Sequence, residues 1–212
     1  MENKIQFRLI KKFGPSIFHV RIPEEIIIKL NNYVDKVVQD KQKSKELDVG
    51  KNLVGDVTQE LVLEHNFIKE SGWYNFLGLC VNQWIKLETN KEVKKFEIKN
   101  SWIVRQFENE YNPTHWHGGH ISGAGFLKVP STLGTHYQKK NKNYKGGQLQ
   151  LINGTRLFLS PSTVSLVPKV GDFYFFPHYL MHTVFPFKDS NEERRSISFN
   201  ANIDEEIYNV YG

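Results

Sequence analysis

From residue 90 onward the chain is a succession of short runs of β-branched and aromatic residues separated by turn formers, at 96–107, 121–129, 148–152, 172–176, 183–187 and 195–203. No strand of this length buries enough surface to stand alone, so the runs must close on one another as a sandwich or barrel. Helical periodicity is confined to the first part of the chain. After Pro23, which suits a first helical turn, Ile27, Leu30, Val34 and Val37 recur at three- and four-residue spacing behind Glu24 and Glu25, acids that favour a helix N-terminus. A second stripe joins Phe76, Cys80 and Trp84 with Leu77, Val81 and Ile85. Helices first and strands afterwards predict a mostly β fold with flanking helices (α+β): a double-stranded β-helix, the jelly roll of cupin-like proteins. Residues 5–22 are expected to pair as an outer strand that Pro23 interrupts, and 41–56 reads as a loop. At 212 residues one domain is expected, with 1–95 giving the N-terminal strand and supporting helices and 96–205 the barrel core.

Charge and cysteine content narrow the class. The formal net charge is only +5, and part of the basic surplus lies in 139–145, which reads as solvated surface and speaks against a nucleic-acid partner. A single cysteine, Cys80, forms no internal disulfide, as expected in a reducing compartment; on its apolar stripe it reads as a small core residue. Nothing approaches the roughly 20 consecutive apolar residues of a membrane span, and residues 1–7 lack the basic and then apolar pattern of a secretory leader. The expectation is a cytoplasmic protein with no membrane partner, in a bacterium or an infected host cell.

The histidines carry the chemical signal. His115 and His117 are two apart, so in an extended backbone both rings project to one side. Further on, a Gly171-Asp172 turn launches an aromatic strand, Pro177 ends it, and His182 opens the next strand facing back. That hairpin can bring His182 against the pair. Imidazoles suit Fe, Zn, Cu or Ni, and two or three of them with vacant positions make an open, catalytic type of site. The alternative is hydrogen-bonded core or surface histidines. His120 is a further candidate, because a turn at Gly118-Gly119 would swing it inward. The small residues of 121–127 leave room for a ligand or for close backbone approach. Arg194, Ser196 and Ser198 alternate and share one strand face, where a guanidinium and a hydroxyl make a clamp for a carboxylate. Arg195, by contrast, reads as an ion-pair partner of Glu192 or Glu193 on an exposed turn.

This series, His-x-His, Ser122-Gly123, Lys128-Val129-Pro130, Gly146-Gly147, Gly171-Asp172, Phe176-Pro177, His182 and Arg194-x-Ser196, resembles the 2-oxoglutarate- and Fe(II)-dependent oxygenases. Its likeness is to a small bacterial and phage branch distantly similar to prolyl hydroxylases, and it covers about residues 100–203. The resemblance implies His182 as the distal iron ligand and Arg194, helped by Ser196, as partner of the distal carboxylate of 2-oxoglutarate. It also implies O2 as co-substrate, succinate and CO2 as products, and hydroxylation of an organic or peptidyl substrate. The proximal motif departs from the usual His-x-Asp/Glu. If His115 is the first ligand, His117 takes the carboxylate's place; if His117 is first, Gly119 does, leaving the open position that halogenase members fill with halide. Three histidines, His115, His117 and His182, are the preferred set. Trp102, Gln106, Asn112, Trp116 and Phe126 are expected around the pocket, Asn112 on the co-substrate side, with 131–145 as a lid. Two rivals stand beside this reading. One is a cupin-type metalloenzyme without an oxoacid, although no glutamate occurs between His117 and Glu192. The other is a non-catalytic barrel that has lost its iron and binds an acidic partner.

Overall fold

Two antiparallel sheets face each other. The larger takes six strands in the order β1 (Phe18–Arg21), β8 (Asp172–Pro177), β5 (Ile121–Lys128), β10 (Arg194–Ile203), β3 (Phe96–Gln106) and β2 (Gln59–Val62). The smaller has the order β4 (Asn112–His115), β9 (Met181–Val184), β6 (Leu149–Ile152) and β7 (Thr163–Leu166). This is the expected jelly roll. The computed structural model describes residues 14–134 and 146–210. The start of the expected 5–22 strand, the basic 139–145 loop and most of the 131–145 segment therefore lie outside the described residues.

The strand period of two decides what each side of the large sheet does. On β10, Ile197, Phe199, Ala201 and Ile203 enter the core shared with helices α1 (Glu24–Gln39) and α4 (Trp73–Thr89). The residues between them, Ser196, Ser198 and Asn200, with Arg194 at the head of the strand, line the space between the sheets. The same split holds on β8, where Phe173 and Phe175 pack on the helices while Tyr174 and Phe176 pack inside the barrel. With helices on one face and a second sheet on the other, almost all of β10 is buried.

Both predicted helices form. Ile26, Leu30, Val34 and Val37 make the buried stripe of α1, with Ile27 at its margin. Helix α4 is longer than its apolar repeat indicated: it starts after Gly72, whose φ of 85° a side chain would resist. Trp73 is fully buried there, its indole N–H donating to Ser101 Oγ at 3.1 Å. The 41–56 loop is corrected. It contains helix α2 (Lys41–Leu47) and a 3-10 turn at Gly50–Asn52. Helix α2 buries no residue, so it has no apolar period to detect; it is held by Asp40, whose carboxylate accepts from the Gln42 and Lys43 amides. The short elements β2, β4, β7, α3 (His65–Glu70) and α5 (Glu205–Tyr208) also carry too few residues to show a period. No helix among the described residues is long and apolar enough to cross a membrane.

Of the two purposes expected for the small residues of β5, the glycines serve close approach of the neighbouring strand. Gly123 and Gly125 face the helix side, where a Cβ on Gly123 would meet the Phe173 ring at 2.6 Å and one on Gly125 the Asp172 carbonyl at 2.6 Å. They admit the Phe173 ring and the β8 backbone rather than a ligand. Gly125→Ala should accordingly cost about 1–3 kcal/mol through overpacking, read as a lower urea midpoint; an unchanged midpoint would show that the sheet and helix layer have slack at Phe173.

Candidate metal and anion pocket

The small sheet brings the histidines together. His115 on β4 pairs directly with His182 on β9, and His117 lies two residues beyond, its amide donating to the His178 carbonyl at 3.0 Å. Ring centroids are 4.2 Å apart for His115 and His182, 4.7 Å for His117 and His182, and 5.2 Å for His115 and His117. One ring nitrogen from each lies within 4.8 Å of the others.

Hydrogen bonds orient two of the rings. A carbonyl only accepts, so His115 Nδ1, 2.7 Å from the Pro113 carbonyl, and His182 Nδ1, 2.9 Å from the Leu180 carbonyl, carry the protons. Each Nε2 then keeps its lone pair. His117 Nδ1 is buried without a hydrogen-bond partner. Its ring is hydrogen-bonded by Asn200, whose Oδ1 accepts from Ser122 Oγ at 2.8 Å. Burial, reinforced by the neighbouring imidazoles, holds His117 down to about 2 and His182 down to about 4, and burial also lowers His115. Three neutral, lone-pair-bearing rings therefore converge at one point, and a buried, unpartnered nitrogen among them is what a cation would satisfy.

Arg194 faces the same cavity, which measures about 280 Å³. It is 1% exposed, its Nη1 donates to Gln106 Oε1 at 2.7 Å, and its guanidinium lies 4.9 Å from the centre of the Phe126 ring. Nε has no partner, and among the described residues no carboxylate pairs with this cation. Burial alone pushes it down to about 9. Its sequence neighbour is treated oppositely. Arg195 turns to the helix side, where it bonds Glu193 at 2.8 and 2.9 Å and Asp35 at 2.7 Å. The expected ion pair forms, but as a buried one, because strand alternation carries it under α1.

Ser196, Asn112, Trp102, Trp116 and Phe126 line the cavity as expected. Gln106 stands behind Arg194 rather than on the wall. His120 is not in the cluster: its Nδ1 accepts from the Ile203 amide at 3.1 Å and its ring stacks on Tyr208. Gly119, at φ 92°, turns against the Ala201 carbonyl. Of the expected lid only 131–134 is described, with Ser131 held by Glu192. Among the lining residues that escaped the sequence reading are two with polar side chains, Asn200 and Glu60. Asn200 continues the alternation of 194, 196 and 198 by one step and was legible; Glu60 sits on a four-residue strand with no pattern to reveal it.

Residues 100–200 match the model of a 2OG-Fe(II) oxygenase family. No curated protein sequence matches the chain. Among solved structures, a Pseudomonas putida prolyl-4-hydroxylase superposes with a TM-score of 0.53 at 13% identity, covering 88% of this chain and 92% of that one. A Trichoplax adhaerens prolyl hydroxylase, in complex with a hypoxia inducible factor oxygen degradation domain peptide fragment, gives 0.56 at 14%, covering 94% and 87%. The non-heme alpha ketoglutarate dependent epimerase SnoN, from nogalamycin biosynthesis, gives 0.58 at 11%, covering 87% and 76%. At these identities the likeness is one of fold.

The two adjacent arginines should answer mutation differently. Arg194→Met removes a buried charge that no acid among the described residues pairs with, but leaves Gln106 Oε1 without its donor, so the two effects should offset and stability should stay within about 1 kcal/mol of the parent. Arg195→Met takes away a 1% exposed guanidinium bonded to Glu193, Asp35 and Asn31; Glu193 keeps Arg105 and Asp35 keeps Lys128, so the cost should be about 2–3 kcal/mol. Chemical denaturation reads both; equal losses would contradict the difference in pairing.

Proposed function

We propose that this chain, whose residues 100–200 match the model of a 2OG-Fe(II) oxygenase family, is a dioxygenase that inserts one atom of O2 into a C–H bond of an organic or peptidyl substrate, the other oxidising 2-oxoglutarate to succinate and CO2. The reading is carried by one observation: a buried guanidinium with no carboxylate partner faces the same cavity as three neutral, converging imidazoles.

In this reading His115, His117 and His182 hold Fe(II), which when bound supplies the redox chemistry on O2 and the oxoacid. The protein does the rest. Arg194 receives the distal carboxylate of 2-oxoglutarate and Ser196 adds a hydroxyl donor, while Asn112, expected on the co-substrate side, closes on Gly55 beside Glu60. Phe126 under the guanidinium keeps water away, which strengthens that pairing. The Nδ1–H bonds of His115 and His182 to backbone carbonyls hold those rings fixed, and Asn200 does so for His117. A third imidazole where relatives of this motif carry a carboxylate leaves the site one charge more positive, favouring a dianionic co-substrate. The mouth is bordered by Leu53, Val54 and Trp116, which is 64% exposed, a place for the substrate to lie.

Manganese titration followed by electron paramagnetic resonance should find one Mn(II) per chain, lost in His182→Ala. Absence of metal binding in the parent protein would leave a non-catalytic barrel. Succinate formation should depend on 2-oxoglutarate, and Arg194→Met should raise KM for it by about 100-fold or more, as expected for a lost bidentate charged contact. Metal binding without oxoacid turnover would instead point to a cupin-type enzyme.

A further inference from the structure

The cavity has a second buried ionisable group without a partner. On the outer strand β2, Glu60 stands opposite Val104 of β3, Val104 opposite Ser196 of β10, and Ser196 opposite Phe126 of β5. Leu61, one residue on, enters the helix-side core, so this row faces the barrel interior. Two strand spacings of about 4.8 Å put the Glu60 backbone roughly 10 Å from that of Ser196. Glu60 is 2% exposed, lines the cavity, and its Oε2 has no hydrogen-bond partner. Asn112, 8% exposed, lines the same cavity with its Oδ1 likewise unpartnered. Both side chains close on Gly55, where a Cβ would collide with Asn112 Oδ1 and come within 3.1 Å of Glu60 Oε1.

Nothing among the described residues neutralises Glu60. Burial, and after it the charge of another acid, Asp48, raise the Glu60 carboxyl to about 7. Other buried charges here are paired, as Arg195 is with Glu193 and Asp35. Arg194 and Glu60 are the exceptions, and both face one cavity. Arg194 is answered by an oxoacid. An unpaired carboxylate beside an unpaired amide oxygen calls for the converse ligand, a cation with several N–H donors.

We propose that Glu60 and Asn112 form the substrate-recognition end of the cavity and take a protonated nitrogen, ammonium or guanidinium, carried by the molecule to be oxidised. The inference rests on the oxygenase reading of the same pocket. Arg194 and Glu60 then hold co-substrate and substrate at separate positions by opposite charge, and the Trp116 face and the Leu53 and Val54 side chains at the mouth suit an alkyl stem bearing such a cation.

Isothermal titration of the full chain with n-butylammonium, n-butylguanidinium and the neutral n-butylurea tests this, with Mn(II) and 2-oxoglutarate present and again without them. The parent protein should bind a cation about tenfold or more tighter than the urea, the size of one charge-assisted hydrogen bond. Glu60→Gln should bring the three to within about twofold, with its circular dichroism and Mn(II) titration unchanged. Should Glu60→Gln not fold, Asn112→Asp gives the opposite arm, since a second carboxylate should widen the preference. A parent protein without preference overturns the proposal, as does a preference that survives Glu60→Gln, the result expected if the Asn112 amide were turned to satisfy Glu60 itself. Failure of Mn(II) binding would instead sink the oxygenase reading, with the cation preference still read on the metal-free protein.

Discussion

The arrangement depends on one strand paired on both sides. β10 is bonded to β3 and β5 along its length, so its register is set twice and its side chains have only two directions open. One leads into the helix-side core and the other into the barrel. Arg194 and Arg195 are adjacent in sequence and meet opposite fates for this reason alone: one enters a cavity where no acid among the described residues pairs with it, the other a layer where Glu193 and Asp35 wait.

Stability and chemistry are divided along the same line. The helix-side core is apolar and close-packed, to the point that β5 must carry glycine where Phe173 leans in. The barrel interior, by contrast, holds a buried guanidinium, a buried carboxylate and three imidazoles, groups that cost free energy without their ligands. The first supplies the margin against which the second is tolerated. Such a distribution is typical of sites whose polar groups are completed on binding.

The hydrogen bonds behind the histidines matter as much as the rings. His115 and His182 are turned by backbone carbonyls of their own strand entries, at Pro113 and Leu180, so their tautomers follow from local backbone. His117 depends on Asn200 and Ser122, residues of the other sheet. One ring of the three is thus oriented across the barrel, which ties the geometry of the cluster to closure of the fold.

Periodicity and spacing determined much of this from the chain alone: the two core helices, the main strands, the pairing of His115 with His117 on one side of a strand, and the shared face of Arg194 and Ser196. These are local properties, set by a period of 3.6 or 2 and readable over a few residues. Helix α2 and strand β2 were missed, and the choice between ligand space and close approach at the glycines of β5 stayed open, because their reasons are not local. One is a cap, one a four-residue edge, and one a phenylalanine nearly fifty residues away. Tertiary structure alone decided that His182 meets His115 across β4 and β9, that Arg194 finds no acid, and that Glu60 stands in the same cavity. Convergence and the lack of a partner are relations between distant segments, and only the closed barrel brings those segments within reach of one another.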